Sequence, residues 1–152
     1  MINKNRFQKR TIAITLVIVW MFYIILRGTL KAINYNRIEL NKKIFGTFAI
    51  VDYWIDIFIL IAFILFVFLF IKRIPKTWKY FIYFIDFLII GVIIGMVYNL
   101  FVIDKIVDVL SVSITPATFL ISNVLTSLFF IAFYFLIIYL VYTNRSYFKD
   151  AK

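Results

Sequence analysis

Long apolar runs separated by short polar, mostly basic stretches form the main pattern of this chain. Four of the runs reach about 20 residues, the length that an α-helix needs to cross the hydrocarbon core of a bilayer. The residue-by-residue alternation typical of membrane-spanning strands is absent from them, and backbone groups in lipid must be paired within the segment, so we predict helices. The predicted helices cover about residues 11–30, 49–71, 80–103 and 117–142.

Composition identifies the class of protein. Of the 152 residues, 65% are hydrophobic and 21% are aromatic, whereas soluble domains contain roughly 45–50% apolar residues. A chain this apolar cannot bury its surface in a water-soluble fold. The sequence therefore predicts an all-α membrane protein, with residues 1–152 forming a single transmembrane domain, a compact bundle of four helices.

The first apolar run has two possible interpretations, a cleaved signal peptide or a retained transmembrane anchor. It follows the basic segment KNRFQKR, as the apolar part of a signal peptide does. However, the sequence after it, LRGTLKAINY, contains no small-x-small cleavage site. We therefore expect a retained transmembrane helix.

The distribution of Lys and Arg predicts the orientation of the helices. The N-terminal segment, the short connection at about 72–79 and the C-terminal tail hold eleven of the 17 Lys and Arg residues. The other six lie in or beside the connections at about 31–48 and 104–116. Because cytoplasmic loops are enriched in Lys and Arg, we expect both termini in the cytoplasm (N-in, C-in) and these two connections as external loops.

Acidic residues sharpen this asymmetry, because five of the seven lie on the predicted outer side: Glu39, Asp52, Asp56, Asp104 and Asp108. The net charge of +10 is thus concentrated on the cytoplasmic face, where it favours contact with anionic lipid headgroups. Nothing indicates a nucleic-acid recognition fold, so we expect no nucleic-acid partner. The long connection at about 28–48 mixes apolar and charged residues and is either an amphipathic segment on the outer leaflet or an ordinary polar loop.

Asp86 is a candidate intramembrane charge, because it lies inside the third apolar run. A charged side chain deep in a bilayer costs roughly 2.5–3.5 kcal/mol on insertion scales, which makes such a residue a functional hypothesis. Measured from Tyr80, however, it is only about 9 Å inside the predicted boundary. We interpret it as a structural carboxylate paired with Arg10, Lys72 or Arg73. The alternative is an ion- or proton-linked site.

Gly91, Gly95 and Asn99 form a candidate helix-packing seam in the third helix. At 100° per residue they fall within about 80° of one another, nearly opposite Asp86. Small residues at this spacing allow another helix backbone to approach closely. The sequence leaves open whether the partner is a helix of the same chain or of a second one.

The fourth helix carries a polar stripe: Ser122, Asn123, Thr126 and Ser127. We interpret it as hydrogen bonding to a neighbouring helix, and the alternative is the polar lining of a cavity.

Two D-x-x-x-D pairs at the predicted outer boundary form a candidate external acidic cluster: Asp52 with Asp56, and Asp104 with Asp108. Hard cations need several converging oxygens, which these residues supply if the second and third helices are adjacent. The alternative is simple neutralisation by nearby cations: Arg37, Lys42, Lys43 and Lys105. We predict no metal and no cofactor.

The chain contains no Cys and no His, which removes thiol nucleophiles, disulfides and the commonest general base and metal ligand. Nucleotide-binding, hydrolase and metalloprotease motifs are also absent. We therefore expect a non-enzymatic protein of the cell membrane, an accessory or regulatory subunit of a membrane complex or an immunity-type protein. The alternative is a self-associating small transporter or pore that uses Asp86.

The bias toward Ile, Phe, Tyr, Lys and Asn is typical of AT-rich genomes, in a bacterium or an organelle.

Overall fold

The computed structural model describes residues 4–110 and 115–148, and this part of the chain is helical without strands. Six α-helices and a short 3₁₀-helix follow one another along it: α1 (Lys4–Ala32), α2 (Tyr35–Phe45), α3 (Phe48–Ile71), α4 (Thr77–Phe101), α5 (Ile103–Leu110), α6 (Pro116–Thr143) and the 3₁₀-helix (Arg145–Phe148). Four segments are long and apolar enough to cross a membrane: Arg10–Ala32, Phe48–Ile71, Thr77–Phe101 and Pro116–Thr143. The prediction of an all-α protein with four spanning helices is confirmed, while the N-in, C-in orientation stays a prediction.

The four long helices form an antiparallel ring. α1 packs against α3 and α6, and α4 packs against α6 and, mainly through aromatic side chains, against α3. The directions follow from side chains that meet: Lys31 at the end of α1 pairs with Asp56 in the first half of α3, and Asn99 near the end of α4 bonds Asn123 in the first half of α6. Each long helix therefore has one face toward the ring and one face left open.

Aromatic rings fill the centre of the bundle. The buried Phe63 ring contacts Trp20 at 5.5 Å and Phe84 at 5.2 Å, both in edge-to-face geometry. Phe70 meets Phe81 in the same way at 4.8 Å. Such pairs add about 0.5–1.5 kcal/mol each beyond the burial of their area. These ring contacts join α1, α3 and α4.

The 3₁₀-helix, which lies in a segment predicted only as a basic tail, packs against the end of the bundle formed by the C-terminal end of α3 and the start of α4. Phe148 is fully buried, and its ring contacts that of Phe70 at 4.8 Å. Tyr147 is also buried and carries the Arg73 guanidinium over its ring at 4.5 Å. The chain end that follows α6 is thus folded back onto the core.

The two connections predicted as external loops contain the helices α2 and α5. α2 contacts α3 and α5, and Ile44 of α2 is buried. α5 places Ile103, Ile106 and Val107 within an arc of about 100°, a pattern that favours a helix packed on one face. Ile106 is accordingly buried, and α5 packs on α2 and α6. The first connection is thus helical, in contrast to an ordinary polar loop, and its contact with the outer leaflet stays a prediction.

Candidate functional site

Asp86 lies on the exposed side of α4, nine residues after Thr77, or about 14 Å along the helix axis. The core side of α4 is formed by other residues: Phe81, Ile85, Leu88 and Ile89. At 100° per residue, Asp86 falls about 60° from the nearest of them, Ile89. The carboxylate therefore points away from the ring.

The ion pair that we predicted within the chain is not found. Among the described residues, neither Arg10 nor Lys72 nor Arg73 lies within salt-bridge distance of Asp86. The reason is geometric, because the Asp86 side of α4 is exposed and not packed against another helix of the described residues. Asp56, the other carboxylate that lies well inside a spanning helix, differs in being paired with Lys31.

Gly91 and Gly95 are exposed like Asp86 but, at 100° per residue, lie about 140° and 180° around α4 from it. A Cβ atom added at either position meets no atom within 4 Å outside its own helix. Within the described residues the two glycines therefore form no seam with another helix of this chain. The exposed half of α4 has Asp86 at one edge and Gly91 and Gly95 toward the other, with Phe87, Ile90 and Ile94 between them. We call this half the α4 outer face.

The amides of Asn99 and Asn123 meet where α4 packs against α6. Asn99 Nδ2 donates a hydrogen bond to Asn123 Oδ1 at 3.2 Å. Asn123 Nδ2 is buried and has no hydrogen-bond partner within the described chain. The polar stripe of α6 is therefore split: Ser127 is buried and Asn123 bonds α4, whereas Ser122 and Thr126 are exposed.

The four aspartates of the candidate acidic cluster do not come together. Asp56 is engaged with Lys31, and Asp104 and Asp108 are exposed on α5. Within the described residues no three acidic side chains are grouped closely enough to hold a metal ion. The helix break after Phe101 makes Asp104 and Asp108 part of a separate element, α5, which packs on α2 and α6.

A cleft that the sequence analysis missed lies between α1, α3 and α6. It is lined by charged residues at one end, Arg27, Lys31 and Asp56, and by apolar and aromatic residues toward the middle of the bundle. The available signal was the spacing of Arg27 and Lys31, which are four residues apart and share a helix face. We had counted both with the outer connection, but both lie within α1.

Compared with known protein families, curated proteins and solved structures, the chain matches none.

Proposed function

We propose that this chain is a non-enzymatic cell-membrane protein that acts by contact with another integral membrane protein. It serves as an accessory or regulatory subunit or as an immunity-type protein, and its contact surface is the α4 outer face. Both termini are cytoplasmic in this proposal, and the basic inner side rests on anionic lipid headgroups. The observation that carries the proposal is a carboxylate, Asp86, exposed within a spanning helix without an ion-pair partner among the described residues.

The energetic argument concerns what surrounds this carboxylate in a membrane. A single exposed acid in hydrocarbon costs roughly 2.5–3.5 kcal/mol, and membrane acids normally pair with a base or face a protein interior. A neighbouring helix with a Lys or Arg at the depth of Asp86 offsets this cost. Gly91 and Gly95, which have open space beside them on the opposite edge of the α4 outer face, let the backbone of a second helix of the partner approach closely.

Charge also argues for a partner of different sequence. A parallel, two-fold contact of two copies through the Asp86 edge of the α4 outer face places Asp86 beside its own copy, where like charges repel. α4 carries no Lys or Arg between Lys79 and Phe101 that could relieve the repulsion. The alternative function, a self-associating transporter or pore with Asp86 as an ion- or proton-linked residue, requires a pathway between copies, because the exposed Asp86 does not line the interior of one chain.

The proposal is tested by copurification of the tagged protein from its own membranes in a mild detergent. A different membrane protein in stoichiometric amounts supports it, and a clean homo-oligomer favours the transporter or pore. Gly95→Leu and Ile94→Leu form a matched pair, since both positions are exposed and only the first substitution adds bulk.

Gly95→Leu is expected to leave the thermal stability of the isolated chain unchanged or slightly higher, because Leu is a better helix former than Gly and meets nothing in this chain. Partner recovery is expected to fall several-fold in Gly95→Leu and to stay at the wild-type level in Ile94→Leu. Equal recovery in both variants means that the glycines face lipid.

A further inference from the structure

The cleft between α1, α3 and α6 has a volume of about 270 Å³. Its charged lining comes from the last turns of α1 and the first half of α3, and its apolar lining lies deeper along the same helices and on α6: Ile24, Ile59, Leu60, Phe130 and Tyr134. The volume is many times the roughly 30 Å³ that a water molecule occupies in the liquid. The cleft therefore has a two-part lining and room for part of an amphiphilic molecule, with the remainder outside it.

The charges in the cleft do not cancel. Lys31 and Asp56 neutralise each other in an ion pair. Arg27 lies one helical turn from Lys31, is exposed, and has no carboxylate partner among the described residues. One positive charge thus remains inside a membrane-spanning segment, where unpaired charges are rare and costly.

We infer that this cleft binds a monoanionic phospholipid, with the phosphodiester on Arg27 and an acyl chain along the apolar lining. A guanidinium matches the oxygens of a phosphate with two parallel hydrogen bonds, and a single negative charge cancels the charge left by Arg27. The apolar walls of Ile24, Leu60 and Phe130 offer a chain contact that a free anion cannot use. The inference goes beyond the proposed function, because α4 does not line the cleft.

The test uses the full chain purified in an uncharged detergent and followed by native mass spectrometry. Phosphatidylglycerol and phosphatidylcholine with identical acyl chains are titrated in competition. We expect one phosphatidylglycerol per chain, bound at least fivefold more tightly than phosphatidylcholine. Arg27→Gln is expected to weaken phosphatidylglycerol binding about tenfold, whereas Arg27→Lys retains most of it.

Lys42→Gln is the matched control, since Lys42 is an exposed cation of α2 outside the cleft, and its removal is expected to leave binding unchanged. Thermal unfolding in lipid-free detergent checks that each variant is folded. A second arm replaces the lipid with inorganic phosphate, for which we expect no saturable binding.

Three results overturn the inference. Wild-type binding in a folded Arg27→Gln variant means that the cleft charge is not used. Equal loss in Lys42→Gln means that the lipid responds only to the overall charge. Phosphate that binds as tightly as phosphatidylglycerol identifies a site for free anions instead of a lipid.

Discussion

Asn99 of α4 and Asn123 of α6 are joined by a side-chain hydrogen bond of 3.2 Å, although 24 residues separate them in the chain. Among the described elements, α6 is also the helix against which α4 packs most extensively. A hydrogen bond between amides in a membrane bundle contributes modestly, about 0.6 kcal/mol on average and up to 1–2 kcal/mol. Its role is to fix the register of α4 on α6.

The contribution of this bond is measurable in a double-mutant cycle. Asn99→Ala and Asn123→Ala are each expected to destabilise the bundle, and the double variant to be less destabilised than the sum, with a coupling of about 0.5–2 kcal/mol. Denaturation with increasing SDS in mixed micelles provides the free energies. Thr126→Ala, at an exposed position of α6, serves as the control and is expected to show no coupling to Asn99→Ala. Additive effects of the two Asn variants would remove the register role.

The burial of the 3₁₀-helix after α6 leads us to expect a large effect of a substitution within it. Phe148 is fully buried against Phe70, so Phe148→Ala is expected to destabilise the bundle by about 3–5 kcal/mol, the usual cost of removing a buried Phe side chain. Phe129→Ala removes an equally large but 67% exposed ring and is expected to change stability little. The same SDS titration compares the free energies of unfolding of the two variants. Equal effects would mean that the 3₁₀-helix does not stabilise the bundle.

The proposed orientation is tested by single cysteines, since the chain contains none. Lys43→Cys and Lys79→Cys place thiols at exposed positions of α2 and of the start of α4. Because the Lys and Arg distribution favours cytoplasmic termini, an impermeant thiol reagent added to intact cells is expected to label Lys43→Cys and to miss Lys79→Cys until the membrane is opened. The opposite labelling pattern would reverse the topology.

The number and approximate position of the spanning helices follow from the sequence because the length of an apolar run is a local property. The face of a helix that points to the core is not a local property of the sequence. Lipid tails are as apolar as the bundle interior, so both faces of the helix carry Ile, Leu and Phe. The sequence analysis therefore found Asp86 and Gly95 but not that both point outward.

Short elements were missed for a related reason. Helices as short as α5 and the 3₁₀-helix gain their stability from tertiary packing instead of from helix propensity. Ile106 and Phe148 are buried only because α2, α3 and α6 are already placed beside them. The pairing of Lys31 with Asp56 likewise depends on how α1 and α3 meet, which no spacing in the sequence encodes.

Substitutions of Asp86 test whether its carboxylate is paired with a partner protein or within its own chain. Since it has no ion-pair partner in the described chain, Asp86→Asn and Asp86→Leu are both expected to leave the isolated protein folded and abundant when it is produced without its partner. Removing the charge is expected to favour insertion of α4 by up to roughly 2.5–3.5 kcal/mol, so neither variant loses thermal stability.

Partner recovery is expected to distinguish the variants. Asp86→Leu removes both the charge and the hydrogen-bond acceptor that a basic partner helix contacts, and should lower recovery most, because a stranded cation in a closed interface costs about 3–5 kcal/mol. Asp86→Asn keeps an acceptor and should lower recovery less, and Asp86→Glu should retain most of it. Abundance and copurification are measured on the same membranes. If the Asn and Leu variants are instead depleted even without the partner, the carboxylate is paired within its own chain and the α4 outer face is not the contact surface.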